Sequence, residues 1–236
     1  MVCRVFTLGY DSTYRLADRQ TMYQQHTCEK LNALFKKKPF QGAPPEKARF
    51  IFVGLDANFD PEIESSEAFP EVCSYLEDGV GFWAKHGIHH PFLLPNYRGD
   101  GARYHKQFAK IGLNARHAQD VSFIELIDTP TIGRSKLNKN DLLQQHHHLE
   151  RLETWFKGGH KKYVFISPNA RRLMNSTPHF RWLASDPVSS YESIPIYHQS
   201  TDLTVLSPYH FSCYGRHCLA ENKRKQLETI RALIEN

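Results

Sequence analysis

The sequence predicts an α/β fold: a single three-layer αβα domain, residues 1–236, built on a short, mostly parallel, four-stranded central sheet. Three observations carry this. Short apolar runs, the length of buried strands, occur at residues 49–54, 121–127, 162–167 and 202–206. Stretches of helical periodicity separate them, and alternation of this kind places a parallel sheet between helices on both faces. Finally, 236 residues of which 40% are hydrophobic can bury a full core, and no apolar run is long enough to cross a bilayer.

The elements follow in order. A polar amphipathic helix is expected over residues 21–37, closed by Pro39 and a Gly42-Ala43-Pro44-Pro45 linker, so that residues 1–45 form a helical extension packed on the domain. The first strong strand, Arg49-Phe50-Ile51-Phe52-Val53-Gly54, runs into Leu55-Asp56-Ala57-Asn58-Phe59-Asp60. A loop-rich and partly helical region follows, containing Phe69-Pro70, Phe82-Trp83 and a polar loop at residues 96–101. A helix over residues 104–111 leads to the second strand, which ends in a turn at residues 128–133. A helix over residues 139–157 precedes the third strand, and Asn169 after it either caps a further helix, the favoured reading, or faces a pocket at the strand ends. The last strand opens into Ser207-Pro208-Tyr209-His210-Phe211-Ser212. The chain closes on an amphipathic helix, residues 219–234, with Leu227, Ile230, Leu233 and Ile234 at helical spacing.

Charge and cysteine usage narrow the class. A formal charge of +5, with 14 histidines besides, is a moderate basic excess of the kind that attracts a polyanion, and nucleic acid is the natural candidate. Lys36-Lys37-Lys38 reads as a solvated helix end and His146-His147-His148 as a partly exposed helix face. The five cysteines are an odd number spread thinly, which is expected of free thiols in a reducing compartment. No second ligand cluster completes a metal site around Cys213, His217 and Cys218. The first ten residues hold too short an apolar stretch for a secretory signal, so a cytoplasmic location is expected, with no membrane association.

The chemistry gathers where strands end. In an open α/β sheet ligands collect at the carboxyl ends of the strands, and there Asp56 follows the first strand, Glu125 closes the second and His210 follows the last. An ordinary turn, with Asp56 capping the next helix, is the competing reading of the first segment. Gly54-Leu55-Asp56-Ala57-Asn58, Glu125-Leu126-Ile127-Asp128-Thr129-Pro130-Thr131 and His210-Phe211-Ser212 together resemble the uracil-DNA glycosylase superfamily, and the middle segment is most similar to its mismatch-specific branch. The resemblance spans residues 49–214. It implies a monofunctional DNA glycosylase that flips a base out of the duplex, hydrolyses its N-glycosidic bond and leaves an abasic site. Asp56 then matches the position that orients or deprotonates water and stabilises the oxocarbenium-like sugar. His210 matches the histidine of a His-Pro-Ser motif, with Phe211 in place of the proline, and donates to the base's O2. Ser212 matches a phosphate contact, Tyr214 the wedge that fills the gap left by the flipped base, and Arg216 lies close to phosphate or the orphaned base.

The departures from the uracil-specific pattern bear on substrate. Asn58 stands where those members carry a bulky tyrosine, which leaves the C5 side of the pocket open. Glu125 falls on the position of their uracil-reading asparagine, and a carboxylate accepts from the N4 amino group of cytosine. A 5-substituted cytosine is therefore expected, such as the glucosylated 5-hydroxymethylcytosine of phage DNA removed by antiviral members of the superfamily. Phe59 and Phe69 are alternative stacking platforms for the base. A monomer acting on double-stranded DNA, with no cofactor and no metal, is expected, and no lysine in the motifs implies a lyase step. A repair glycosylase for uracil, hypoxanthine or mismatched thymine, a non-catalytic DNA-binding relative and a small-nucleoside hydrolase are the rival readings.

Overall fold

The structure is a computed structural model that describes residues 23–99, 101–133, 136–213 and 219–235. Its elements run β1 (Gln24–Gln25), α1 (Glu29–Lys37), β2 (Gln41–Gly42), β3 (Phe50–Gly54), β4 (Ala57–Asn58), α2 (Phe69–Glu77), α3 (Gly79–His86) and α4 (Ala102–Phe108). There follow β5 (Val121–Glu125), β6 (Pro130–Ile132), α5 (Lys139–Gln144), α6 (His146–Lys157) and β7 (Lys162–Ile166). The chain continues through α7 (Pro168–Asn175), β8 (Ser189–Tyr191), β9 (Ile194–Gln199), β10 (Leu203–Leu206) and α8 (Ala220–Glu235).

The main sheet has seven strands in the order β2-β5-β3-β7-β10-β9-β8. Its centre, β5-β3-β7-β10, is parallel throughout and consists of the four strands expected from the apolar runs. The expected sheet of four is thus enlarged by three antiparallel edge strands: β2 on β5, and the β9–β8 hairpin on β10. β2 and β8, of two and three residues, carry too little periodicity to be read from sequence, and the six-residue β9 was not anticipated either. A second, three-stranded sheet, β1-β6-β4, forms where only a turn was expected after the second strand.

Successive residues of the central strands point to opposite faces, and both faces are buried. Ile51, Val53, Ile124 and Val164 pack with Leu149, Leu152 and Phe156 of α6 on one side. Phe50, Phe52, Phe123 and Phe165 pack with Phe108 of α4 and Ile230 and Leu233 of α8 on the other. A third cluster joins Leu31 and Phe35 of α1 to Val72, Tyr75 and Leu76 of α2.

Several local expectations are adjusted. The N-terminal segment is less helical than expected, because Gln24–Gln25 pairs with Ile132 and Thr131 and the helix starts only after Cys28. Gly42 has a φ of 76°, and the linker after it is fastened by buried Lys162, whose ammonium donates to the carbonyls of Pro45, Glu46 and Ala48 at 2.9, 3.0 and 3.2 Å. The helix expected over residues 139–157 breaks at Gln145, and Asn138 caps its first part through a capping box. Within the histidine triplet, His146 and His147 are exposed while His148 is buried.

Three further histidines, His89, His90 and His105, are buried against Phe92, Phe108 and Phe123. His90 and His105 stack with ring centroids 3.5 Å apart, and His89 Nε2 meets His105 Nδ1 at 3.1 Å. Desolvation holds all three neutral: the His89 pKa is pushed down to about 3, and those of His90 and His105 fall well below the ordinary value. A histidine neutral in the fold but free to protonate when unfolded contributes stability above its ordinary pKa of 6.5, and that stability is lost as pH falls towards the folded value. Urea unfolding between pH 6.5 and pH 4 should therefore show stability falling by about 1.4 kcal/mol per pH unit for each such histidine. His89→Phe should remove one such share of the slope, and an unaltered slope in that variant would contradict the assignment.

Candidate active site

Four backbone segments converge at the carboxyl end of the parallel strands. Strands β3 and β5 pair in register and finish with Gly54 opposite Glu125. A Cβ on residue 54 would lie 1.9 Å from Glu125 Oε2, so glycine there leaves the space that the glutamate side chain occupies. Two residues on, Asp56 accepts a hydrogen bond at Oδ2 from the hydroxyl of Thr131, a fully buried residue of β6. The parallel pairing of β4 with β6, Ala57 with Pro130 and Asn58 with Thr131, sets that contact. The neighbouring Asn58 donates its amide N–H to the Gly133 carbonyl.

The loop after β10 is held from three sides. Tyr209 N–H donates to Gln226 Oε1 at 2.7 Å, and Gln226 Nε2 returns a bond to the Tyr209 carbonyl at 3.0 Å. Lys223 donates to the Cys213 carbonyl. Phe211 is buried and meets Tyr104 and Phe108 edge-on at 5.1 and 5.7 Å, so an apolar anchor stands where the resembled motif has a rigid proline. Between these anchors Ser212 N–H donates to His210 Nδ1 at 3.2 Å. In the neutral ring the proton must then lie on Nε2, which makes that atom a hydrogen-bond donor. Partial desolvation lowers the His210 pKa from its ordinary value and favours this neutral form, although the ring remains open to solvent at the mouth of the site.

A cavity of about 250 Å³ opens between these segments and is lined by Asp56, Asn58, Phe59, Glu125, His210 and Ser212. Pockets for drug-sized ligands begin at roughly 300 Å³, so this one suits a single small ring. Phe69 does not line it: that residue begins α2, packs on the third cluster and carries the Lys30 ammonium 5.7 Å from its ring centre. Phe59 does line it, buried and edge-on to Phe92 at 5.6 Å. Tyr214 and Arg216 lie outside the described residues. Asn169 neither caps α7 nor lines the cavity, its oxygen accepting from Arg172 at 2.6 Å.

Sequence reasoning missed Gln41, His90, Phe92, Tyr104, His105 and Phe123, all of which line the cavity. The phenylalanine at 123 was recoverable, since it alternates with Glu125 on one face of β5. Nothing local marks the histidines, whose burial is set by the fold.

The electrostatics are uneven. Glu125 Oε2 is enclosed without a hydrogen-bond partner among the described residues. Desolvation first, and the charge of Asp56 second, push the Glu125 pKa well above the ordinary glutamate value. Behind it, buried His148 meets the Glu125 carbonyl at 2.8 Å and is itself held by Arg151, which pairs with Asp128 at 3.1 Å. Beside the His210 loop the Lys223 ammonium lies within the field of Arg103 and Lys110, and desolvation followed by these two cations lowers its pKa. A separate open cleft of about 730 Å³ begins one residue beyond Phe59, with Asp60, Glu67, Asn96 and Arg98 among its polar walls.

The chain matches no protein-family model and no curated protein. Among the described residues no helix is long and apolar enough to cross a membrane, and no group of three or more histidine, cysteine, aspartate or glutamate side chains is placed to hold a metal ion. Cys28 and Cys73 are free and buried, whereas Cys213 is disulfide-bonded, which corrects the expectation of a free thiol at that position.

Because the folded pKa of Glu125 is raised, the stability linked to its neutral form is complete below the ordinary value of 4.5 and declines as pH rises through the folded value. Glu125→Gln removes that decline. Its stability relative to wild type should therefore increase by up to about 1.4 kcal/mol per pH unit between pH 5 and 8 in denaturant unfolding. A constant difference across that range would contradict a buried neutral carboxyl.

Proposed function

We propose that this protein is a monofunctional DNA glycosylase that hydrolyses the N-glycosidic bond of a flipped base, with a 5-substituted cytosine such as glucosylated 5-hydroxymethylcytosine as its substrate. The observation that carries this reading is the meeting of Asp56, Glu125 and His210 in one cavity sized for a single ring.

In this reading a flipped nucleotide sets its glycosidic carbon within reach of Asp56 and its ring against Glu125 and His210. As the carbon–nitrogen bond breaks, its electron pair goes to the base, and His210 Nε2–H donates to the O2 on which charge develops. The Asp56 carboxylate stabilises the positive sugar, orients the water whose oxygen adds to it and takes the proton that water gives up, which passes by way of solvent to the departed base. Thr131 acts as a positioning residue by fixing one Asp56 oxygen. The cluster of Arg103, Lys110 and Lys223 beside the His210 loop supplies phosphate contacts that offset the few kcal/mol cost of flipping. Asn58, its amide already bonded to Gly133, forms a short wall and leaves the C5 side open.

One observation favours a second reading, a repair glycosylase for uracil or a related base. A neutral Glu125 carboxyl can donate as well as accept, so it can meet a carbonyl at ring position 4 as well as an amine. A non-catalytic DNA-binding module has no use for a carboxylate and an imidazole donor inside a cavity.

The test incubates the protein with duplexes containing cytosine, 5-hydroxymethylcytosine, its glucosylated form, uracil or hypoxanthine, and detects abasic sites by alkaline cleavage. Release is expected from the glucosylated duplex and should fall by about 100-fold or more in both Asp56→Asn and His210→Ala, with circular dichroism unchanged. Full activity in both variants would overturn the assignment, and release from uracil or hypoxanthine alone would move the protein to the repair class.

A further inference from the structure

We infer that Gln41, locked in orientation by His90, is a specificity-determining residue that selects bases with a hydrogen-bond acceptor at ring position 3, the cytosine class, over bases with an N–H there, the uracil and thymine class. The inference rests on the glycosylase reading and deepens it.

The tautomer of His90 is fixed by its neighbours. Phe92 N–H donates to His90 Nδ1 at 3.2 Å, so the neutral His90 ring carries its proton on Nε2. That nitrogen lies 3.2 Å from Gln41 Oε1 and donates to it. The contact settles which way the amide faces, because turning it over would set its own N–H groups against an N–H. The His90 ring cannot shift to accommodate such a turn, being stacked on His105 and enclosed by Tyr75 and Phe92. Burial and the neighbouring histidines keep it from becoming a cation.

With its oxygen engaged, the Gln41 side chain has two amide N–H donors left, and among the described residues it has no other side-chain hydrogen bond. Gln41 is itself only 5% exposed, yet it lines the cavity. Strand β2 explains why. Gln41 pairs with Phe123 of β5, which places it diagonally across from Glu125 on the same sheet face, the spacing at which long side chains act on one ligand. The cavity therefore presents a fixed donor next to a carboxyl whose proton can sit on either oxygen.

Of these two groups only Gln41 discriminates sharply. The neutral Glu125 accepts from an exocyclic amine at position 4 or donates to a carbonyl there, and so tolerates both base classes. The amide cannot exchange its roles without losing the His90 bond. Cytosine offers it the N3 lone pair, whereas uracil and thymine oppose it with N3–H. A mismatch of this kind is worth roughly 10- to 100-fold in selectivity.

The experiment measures kcat/KM for release of 5-hydroxymethylcytosine, its glucosylated form and uracil from otherwise identical duplexes, using wild type, Gln41→Met and Gln41→Glu. Calorimetric titration with free cytosine and free uracil runs in parallel. The cytosine-to-uracil ratio should fall by about 10-fold or more in Gln41→Met and further in Gln41→Glu, whose side chain keeps the His90 contact but supplies an acceptor. Release with an unchanged ratio in both variants would overturn the role of Gln41 while leaving the glycosylase reading intact. If wild type releases no base, that reading fails and the titration alone decides: a cytosine preference lost in both variants supports Gln41 as the selector, and equal or absent binding of the two bases overturns it.

Discussion

The in-register parallel pairing of Phe50–Gly54 with Val121–Glu125 is the constraint on which the site depends, because it brings Gly54 and Glu125 level at the carboxyl end of the sheet. With both faces of these strands buried, a slip of β5 by one residue would move Phe123 into the opposite layer and carry Glu125 with it. The missing Cβ at residue 54 gives the carboxyl its space, and the same strand delivers Asp56 to the hydroxyl of Thr131. The small β4–β6 pairing and the Gln226 contacts on the His210 loop are consequences, set against a frame that the central strands establish.

Beside that frame lies an unusual concentration of buried polar groups. His89, His90 and His105 form a stacked, hydrogen-bonded set inside an aromatic shell. The Glu125 carboxyl, the Tyr104 phenol and the His105 imidazole near the cavity are each pushed towards their uncharged forms by desolvation. Such groups are costly for a core and cluster where function requires them. Neutral partners suit recognition of an uncharged ring, since they offer directed hydrogen bonds without the desolvation penalty of buried charge. Positive charge gathers nearby on Arg103, Lys110 and Lys223, and under the proposed reading it is there that a phosphate backbone would meet the protein.

The four central strands were legible because parallel strands buried on both faces read as short continuous apolar runs. Asp56, Glu125 and His210 were legible for the same reason, each standing at or just beyond the end of such a run. Gln41 was not. It belongs to a two-residue edge strand inside what reads as a glycine- and proline-rich linker, and its place is set by pairing with a distant strand. The histidines at 89, 90 and 105 carry no local sign of burial, and His148 shows it only in the fold, where it meets the carbonyl of Glu125. Phe69 illustrates the converse: an aromatic close in sequence to the Asp56 motif was drawn instead into the packing of α1 on α2.

The central claim is that this cavity receives a base taken out of the DNA stack. A crystal structure of Asp56→Asn bound to a duplex containing glucosylated 5-hydroxymethylcytosine tests it most directly. The account predicts the modified base rotated out of the helix, its ring in the cavity, O2 within hydrogen-bond distance of His210 Nε2 and N3 facing the Gln41 amide. A duplex bound with that base still stacked, or bound across a face remote from Asp56 and His210, would contradict it.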